Sequence, residues 1–321
     1  MTTILITGAA GFVGSHLARY ILENTDWKVV ALDRLDEAGD QNRIAPLRHY
    51  GERFKCLWHD LKAPINPVML RFAGDFRYIA HLAAGSHVDR SVRDPVSFVM
   101  DNVVGTAHLL EYARHHQPNC EKVLHFNSDE VFGPAAEGEV FTEHDRWNPE
   151  NPYSASKAGA GALCPAYAAQ YGTPIVETFC SNIYGKGQYR EKFIPLCADK
   201  VRNGEVVQIH ARGGTVSSRL YIFVDDVSRA VLTVLQKGGI MRDARSGKYA
   251  IVASEELSNL VVAEAIANHL SRPLRYEFID NPPNRPKPDL RYSMDGSKLA
   301  ALGWAPEVAF EDGLRDALGI G

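Results

Sequence analysis

Residues 125–133 read HFNSDEVFG. An apolar run ends there on a hydroxyl, Ser128, and two adjacent acids, Asp129 and Glu130. Neighbouring carboxylates repel, which raises one pKa and keeps one proton on the pair at neutral pH. Such a pair offers an acid and a base side by side. Further on, Tyr153 and Lys157 stand four residues apart in NPYSASKAG, which on a helix gives them a shared face. An ammonium beside a phenol lowers the phenol's pKa and lets it act as a base near neutral pH. Ser128 would supply a hydroxyl to the same substrate oxygen.

A third group lies near the N-terminus. In TGAAGFVG, Gly8, Gly11 and Gly14 are three apart. Such a turn lets backbone amides approach a pyrophosphate at a helix N-terminus, where the dipole favours negative charge. The spacing is GxxGxxG, not the commoner GxGxxG. Asp33 follows 19 residues after Gly14, where an acid would hydrogen-bond an adenosine ribose. A carboxylate there repels a 2′-phosphate and favours NAD over NADP. Asp60, at the end of a third apolar run, either holds the adenine or caps a turn.

Regular elements must position these groups. Apolar runs at TILITG, WKVVALD, FKCLWHD, YIAHLAA, KVLHFNS and TPIVETFC read as six strands. Helices are expected from Phe12 to about Asn24 and from Pro95 to about His115. The alternation predicts a doubly wound α/β protein with a parallel sheet, its near-continuous apolar strands covered on both faces. After Ser181 loops lengthen and Pro and Gly cluster. SRLYIFVDD and the helix after it read as a return to the sheet. The expected division is residues 1–180 with 217–250 in a dinucleotide-binding domain, and 181–216 with 251–321 in a smaller, discontinuous α/β substrate-binding domain. Such a cap would close a cleft at the carboxyl ends of the strands.

The 321 residues are 45% hydrophobic and carry a net charge of −4, without a basic run that would bind nucleic acid or anionic lipid. No stretch is long and apolar enough to span a bilayer, and a cytoplasmic protein is expected. Cys56, Cys120, Cys164, Cys180 and Cys197 are scattered, which indicates reduced thiols and no metal site.

The glycine turn, Ser128 and the Tyr153–Lys157 pair together resemble the extended short-chain dehydrogenase/reductase family, which includes the sugar-nucleotide epimerases and dehydratases. HLAAGSHVDRSVRDP, NSDEVFG, NPYSASKAG, SNIYGKGQYREKFIPL and RPKPDLRYSMDGSKLAALGW resemble its dTDP-glucose 4,6-dehydratase branch, in the same order from Ile4 to about Leu314. The resemblance implies a Rossmann-type fold, bound NAD, a nucleotide-diphosphate sugar between the domains, and a homodimer. It implies that Phe12, Val13, Leu61, Leu82, Ala83 and Ala84 join the glycine turn, Asp33, Asp60, Tyr153 and Lys157 around the cofactor. Ser86, Asn182, Lys192, Arg219 and Arg285 are implied as substrate contacts, the arginines on the diphosphate.

The same resemblance gives the two acids their work. Tyr153 takes the proton of the sugar's 4-hydroxyl as its hydride leaves. The resulting ketone acidifies the hydrogen on carbon 5. Glu130 is implied as the base there and Asp129 as the acid that protonates the departing 6-hydroxyl. Residues adjacent on a regular strand face opposite ways, so the pair can converge only if the chain bends after Ser128. A 4-epimerase, the alternative, needs neither acid.

The chain also departs from that branch. Gly85 stands where it usually carries Glu, Ser128 replaces Thr, His210 falls near an expected Tyr, and Pro288 replaces His. Pro165 should kink or end the helix that carries Tyr153, and so disturb the usual dimer contact. His81 and His87 read as structural.

Overall fold

All five residues of β1 (Thr3–Thr7) are buried, because this strand runs through the middle of a parallel sheet covered on both faces. The computed structural model describes residues 1–36, 38–243, 245–280 and 290–320. Five further expected strands are found: β2 (Lys28–Asp33), β3 (Phe54–Trp58), β4 (Tyr78–His81), β5 (Lys122–Ser128) and β6 (Ile175–Cys180). Beyond them lie β7 (Asn182–Tyr184), β8 (Val207–Arg212), β9 (Thr215–Val216), β10 (Ser218–Phe223), β11 (Lys248–Ile251), β12 (Glu256–Ser258) and β13 (Tyr276–Ile279). The seven-stranded sheet has the order β11-β6-β5-β4-β1-β2-β3, and each neighbouring pair is parallel. Strand order reverses between β1 and β4, and that switch point is where such a sheet takes its ligand.

Alternation along the strands builds two cores. Ile4 and Ile6 face Leu17, Ile21, Val227 and Val231, while Leu5 faces the opposite layer with Ile79, Leu109 and Val123. A third core, around Tyr184, Ile194, Ile209, Val262 and Leu314, belongs to the segments after Ser181.

One expectation is corrected. Ser218–Phe223 does not rejoin the main sheet. It pairs with β12 antiparallel and with β7 parallel. The chain returns one step later, through the helix Val224–Lys237, which packs on the helix Phe12–Asn24, and through β11, which pairs with β6. The apolar pattern of SRLYIF is equally satisfied by either sheet, because it specifies burial and not a partner.

Two helices carry irregularities. The segment expected as one helix from Pro95 contains a π-turn at Met100–Val104 between helical stretches Pro95–Val99 and Gly105–His116. Pro165 does not end the helix Pro152–Tyr171. The missing hydrogen bond costs about 3 kcal/mol. Against it stand packing on β5 and β6, a capping box at Asn151, and Gly172 in the left-handed conformation at the C-terminus.

The turn from β1 into the helix Phe12–Asn24 tolerates no side chain. Gly8 has φ +71° and sits against β4's exit, where an added Cβ would lie 2.6 Å from the Ala83 nitrogen. A Cβ on Gly14 would lie 2.1 Å from the Gly8 carbonyl oxygen. Gly14→Ala must therefore push the turn off the helix. The variant is expected to bind a dinucleotide more weakly by about tenfold or more, that is by about 1.4 kcal/mol or more. Cofactor content of the purified protein and calorimetric titration measure this.

Candidate active site

β5 stays regular to Ser128, and the next residues, Asp129–Phe132, form a single tight 3₁₀ turn. The Glu130 N–H donates to Ser128 Oγ at 3.3 Å, so the serine caps the turn that follows it. Gly133, at φ +85°, closes the turn against the Asn148 carbonyl. This is the bend that the two acids require. Asp129 and Glu130 both reach one cavity, which Tyr153 and Lys157 also line.

The two carboxyls differ in environment. Asp129 is buried, and its hydroxyl neighbour Ser128 Oγ donates to Oδ1 at 3.2 Å. Burial first, and the charge of Glu130 second, push the Asp129 carboxyl up to about 7, with Arg219 and Ser128 pulling the other way. Glu130 is half-buried and accepts from Asn151 Nδ2 at 3.2 Å. Near neutral pH the site therefore holds a proton on the drier acid.

Tyr153 opens its helix just after the cap. Its N–H donates to Ser91 Oγ at 3.0 Å, and its phenol stands within hydrogen-bond reach of Ser128. The phenol is held above its ordinary range by burial, then by the charge of Glu130. The expected lowering by Lys157 is outweighed here. The Lys157 ammonium donates to the Phe126 carbonyl at 2.6 Å, and burial draws its pKa down to about 8. The spacing of the pair is right, but desolvation acts on both groups more strongly than either acts on the other.

The cofactor set gathers along the same cavity. Gly8, Gly11, Phe12, Val13 and Gly14 line one wall, and no side chain caps the helix N-terminus at Gly11. Its first amides are left for an anion. Leu82, Ala83 and Ala84 line the wall where β4 ends, and Leu61 lies beyond them. Asp33 accepts from the Ala10 and Leu35 amides, both at 2.8 Å, which fixes its carboxylate at the rim. Asp60 accepts from the Lys62 amide at 2.9 Å, so it caps a turn and lines the cavity as well.

Arg34, beside Asp33, is engaged by Asp101 at 2.8 Å and also by Asp36, with Asp60 at 3.7 Å. Its charge is spent on carboxylates. The residues therefore fit a dinucleotide with a free 2′-hydroxyl: a glycine cradle that a Cβ would fill, open helix amides and an acid-rich adenosine end.

Ser86, Asn182 and Lys192 line the opposite part of the cavity, with Lys192 Nζ donating to the Ser86 carbonyl at 2.8 Å. Arg219 lies beside the cavity and not on its lining. It donates to the Ser218 and Leu290 carbonyls at 2.7 and 2.9 Å and stacks over Tyr292. Arg285 and Pro288 fall outside the described residues. Gly85 packs against the Phe98 ring, which a Cβ would approach to 3.1 Å, so a Glu there requires the ring to shift by a few tenths of an ångström. His81 bonds Thr7 and Thr106 at 2.7 and 2.9 Å, and His87 caps the helix Val88–Arg93, as structural histidines do.

Sequence reasoning missed four contributors. Asn151 caps the Tyr153 helix and steadies Glu130, and an Asn just before Pro at a helix start was the available signal. Asn102 clasps Gly85 through its amide and donates to Ser156 at 2.7 Å; it sits in the π-turn, which periodicity does not announce. Gln188 and Tyr189 line the cavity from a loop without a pattern.

Comparison with known proteins gives a consistent result. The family model described as GDP-mannose 4,6 dehydratase matches residues 5–317. The low-salt glycan biosynthesis protein Agl12 of Haloferax volcanii is 38% identical, covering 97% of this chain and 96% of the relative. The dTDP-glucose 4,6-dehydratase of Haemophilus influenzae is 35% identical, covering 99% and 97%. The crystal structure of DesIV, a dTDP-glucose 4,6-dehydratase from Streptomyces venezuelae with NAD bound, superposes with a TM-score of 0.87 at 31% identity over 99% and 96% of the two chains.

Fold and site together define an NAD-dependent enzyme of the extended short-chain dehydrogenase/reductase class. Within that class the chain belongs to the GDP-mannose 4,6 dehydratase family, as a hydro-lyase of nucleotide sugars.

The raised Asp129 pKa has a consequence for stability. An unfolded Asp titrates near 3.9. In the folded protein the group titrates at about 7, so the native state binds the extra proton in between. The contribution of this group to stability is therefore full below about pH 4 and is lost as pH rises through about 7. Asp129→Asn should be more stable than the parent at about pH 8, by on the order of a few kcal/mol, and match it near pH 4. Thermal unfolding across that range measures the difference.

Proposed function

We propose that this enzyme converts a nucleotide-diphosphate hexose to its 4-keto-6-deoxy derivative, with Tyr153, Glu130 and Asp129 acting at carbons 4, 5 and 6 in turn. The observation that carries the reading is the tight turn after Ser128, which brings both acids into Tyr153's cavity with one of them favouring its proton. Tyr153 accepts the 4-hydroxyl proton, steadied by Ser128. NAD held by the glycine turn and Asp33 would supply the hydride acceptor for carbon 4 and the hydride for carbon 6, so none would be consumed. Glu130, the more accessible acid, removes the carbon 5 proton that the ketone has acidified. Asp129, still protonated near neutral pH, gives its proton to the departing 6-hydroxyl. Water is lost; Glu130 then returns its proton to carbon 5 as carbon 6 is reduced, and the proton that Tyr153 took from the 4-hydroxyl replaces the one that Asp129 gave up.

Residues 1–180, with the helix Val224–Lys237 and β11, would hold NAD, and the remaining segments the nucleotide sugar. Ser86, Asn182 and Lys192 are assigned to the sugar nucleotide, and Arg219 and Arg285 to its diphosphate. The base is a thymine, uracil or related ring. A 4-epimerase would leave Asp129 and Glu130 without work.

A homodimer belongs to this reading. Val92, Val96, Val99 and Met100 are exposed on the segment that leads into and through the π-turn. An apolar stripe of this kind on a soluble enzyme is an expected interface. No described helix is long and apolar enough to cross a membrane, and we assign the protein to the cytoplasm.

Three outcomes test the reading. Incubation with dTDP-, UDP-, GDP- and CDP-hexoses should give, for one of them, a product lighter by one water in the mass spectrum; an unchanged mass with an altered sugar would make the enzyme an epimerase. Glu130→Gln should lower water loss by roughly 100- to 10,000-fold, the usual worth of a general base, while near-ultraviolet absorbance of the reduced cofactor still develops. Val96→Glu should yield a monomer by sedimentation, against a dimer for the parent.

A further inference from the structure

Glu177 is the residue least expected where it stands. It lies in the middle of β6 with no exposed surface, where a parallel strand is normally apolar. Its Oε1 accepts from Asn127 Nδ2 at 2.9 Å and meets His125 Nδ1 at 3.0 Å. Space for it is made on the helix that carries Lys157. A Cβ on Gly161, one turn after Lys157, would lie 2.6 Å from Glu177 Oε1 and 2.7 Å from Asn127 Nδ2. A buried carboxylate costs several kcal/mol unless cations and hydrogen bonds compensate it.

The compensation leads back to the active site. Asn127, held by Glu177, accepts the Ser128 N–H on its own Oδ1 at 2.9 Å. Ser128 is the residue on which the turn to Asp129 and Glu130 begins. Glu177 also stands close enough to Lys157 for each charge to stabilise the other.

We propose that Glu177 is a positioning residue for the reaction: its buried carboxylate keeps the Lys157 ammonium charged and, through Asn127, fixes the end of β5 that carries Ser128. The proposal rests on the roles given above to Tyr153, Lys157 and Ser128.

The groups around the pair are few. Lys157 is faced by Glu177 from β6, by Cys164 on its own helix, and by His81 and His125, which burial keeps neutral. Glu177 is faced in addition by Lys248 from β11. Burial draws Lys157 down to about 8 even with the carboxylate acting against it. Removing that carboxylate moves the lysine further toward its neutral form at working pH. His125, Cys164 and Glu177 bring donor atoms within 4.8 Å of one another, as in a metal site. Lys157 and Lys248 oppose, without cancelling, the burial that pushes the Glu177 carboxyl up to about 7, so above that pH the arrangement pairs a carboxylate with the lysine cations rather than with a metal ion.

The test is the pH profile of Glu177→Gln in the NAD-loaded enzyme with the nucleotide sugar that it dehydrates. Glutamine keeps the shape and the Asn127 contact and removes the charge. NAD content and KM are expected to stay within twofold of the parent, while the alkaline limb of kcat moves to lower pH by about one unit. Glu177→Asp, which restores the charge, should bring the limb back. A limb that does not move in Glu177→Gln, with only a lower melting temperature, overturns the proposal and leaves Glu177 structural. Should that variant not fold, Asn127→Ser gives the same readout: it withdraws a hydrogen bond from the carboxylate, and an unmoved limb again overturns the proposal. The outcome is separable from the assigned function, because failure of that reading appears as a parent enzyme that releases no water.

Discussion

Two carboxyls cannot both ionise cheaply in a dry cavity. That constraint organises the active site. Asp129 and Glu130 are adjacent in sequence, and a regular strand would have sent them to opposite faces of the sheet. The 3₁₀ turn beginning at Ser128 brings them together, and unequal burial gives them different surroundings, which is the basis of the separate tasks proposed for them. Asp129 lies among β5, Ser128 and the layer beneath, and retains its proton to about pH 7. Glu130 faces the cavity and Asn151. The difference between an acid and a base is here a difference in water access over one residue.

The rest of the fold delivers other groups to that point. Reversal of strand order between β1 and β4 opens a crevice, and Gly8 lets β1's exit lie against Ala83 at its bottom. The helix Pro152–Tyr171 crosses β5 and β6, so that Tyr153 meets Ser128 and Lys157 meets the Phe126 carbonyl. The π-turn at Met100–Val104 turns two consecutive side chains to separate uses. Asp101 faces Arg34 at the adenosine end, and Asn102 clasps Gly85. One extra residue in a helical turn thus serves both ends of the cofactor cavity.

Most of this was legible in the sequence, for identifiable reasons. Six strands of the main sheet were apolar runs between turn signals, and a strand buried on both faces leaves that pattern wherever it occurs. Gly8, Gly14, Asp33, Ser128, Tyr153 and Lys157 stand out because each sits at a strand end or a helix start, where residue type is constrained by backbone geometry. What was not legible was pairing and desolvation. SRLYIF is a strand by pattern, but the pattern does not say that β7 and β12 are its partners. Lys157 and Tyr153 have the spacing of an ion-stabilised phenol, but burial shifts both in the unfavourable direction. Pro165 reads as a helix breaker because the competing terms, packing and caps at either end, are nonlocal.

These buried shifts share a single cause and have opposite signs. Desolvation raises Asp129, Glu177 and Tyr153 and lowers Lys157, each toward its neutral form. A site built in this way pays in stability for every group that must ionise during turnover, and mutual pairing is the means of reducing that cost. Glu177 compensates Lys157 and Lys248, Asn127 steadies Glu177, and Ser128 is shared by Asp129 and Tyr153. Proton positions in such a network move together, since changing the charge on one member alters the cost of charge on the next. The neutral resting state is then an advantage. In the reaction proposed above, Asp129 begins with the proton that it gives. Under the same proposal Tyr153, held protonated by burial and by the charge of Glu130, gains basicity only as the charge around its oxygen changes.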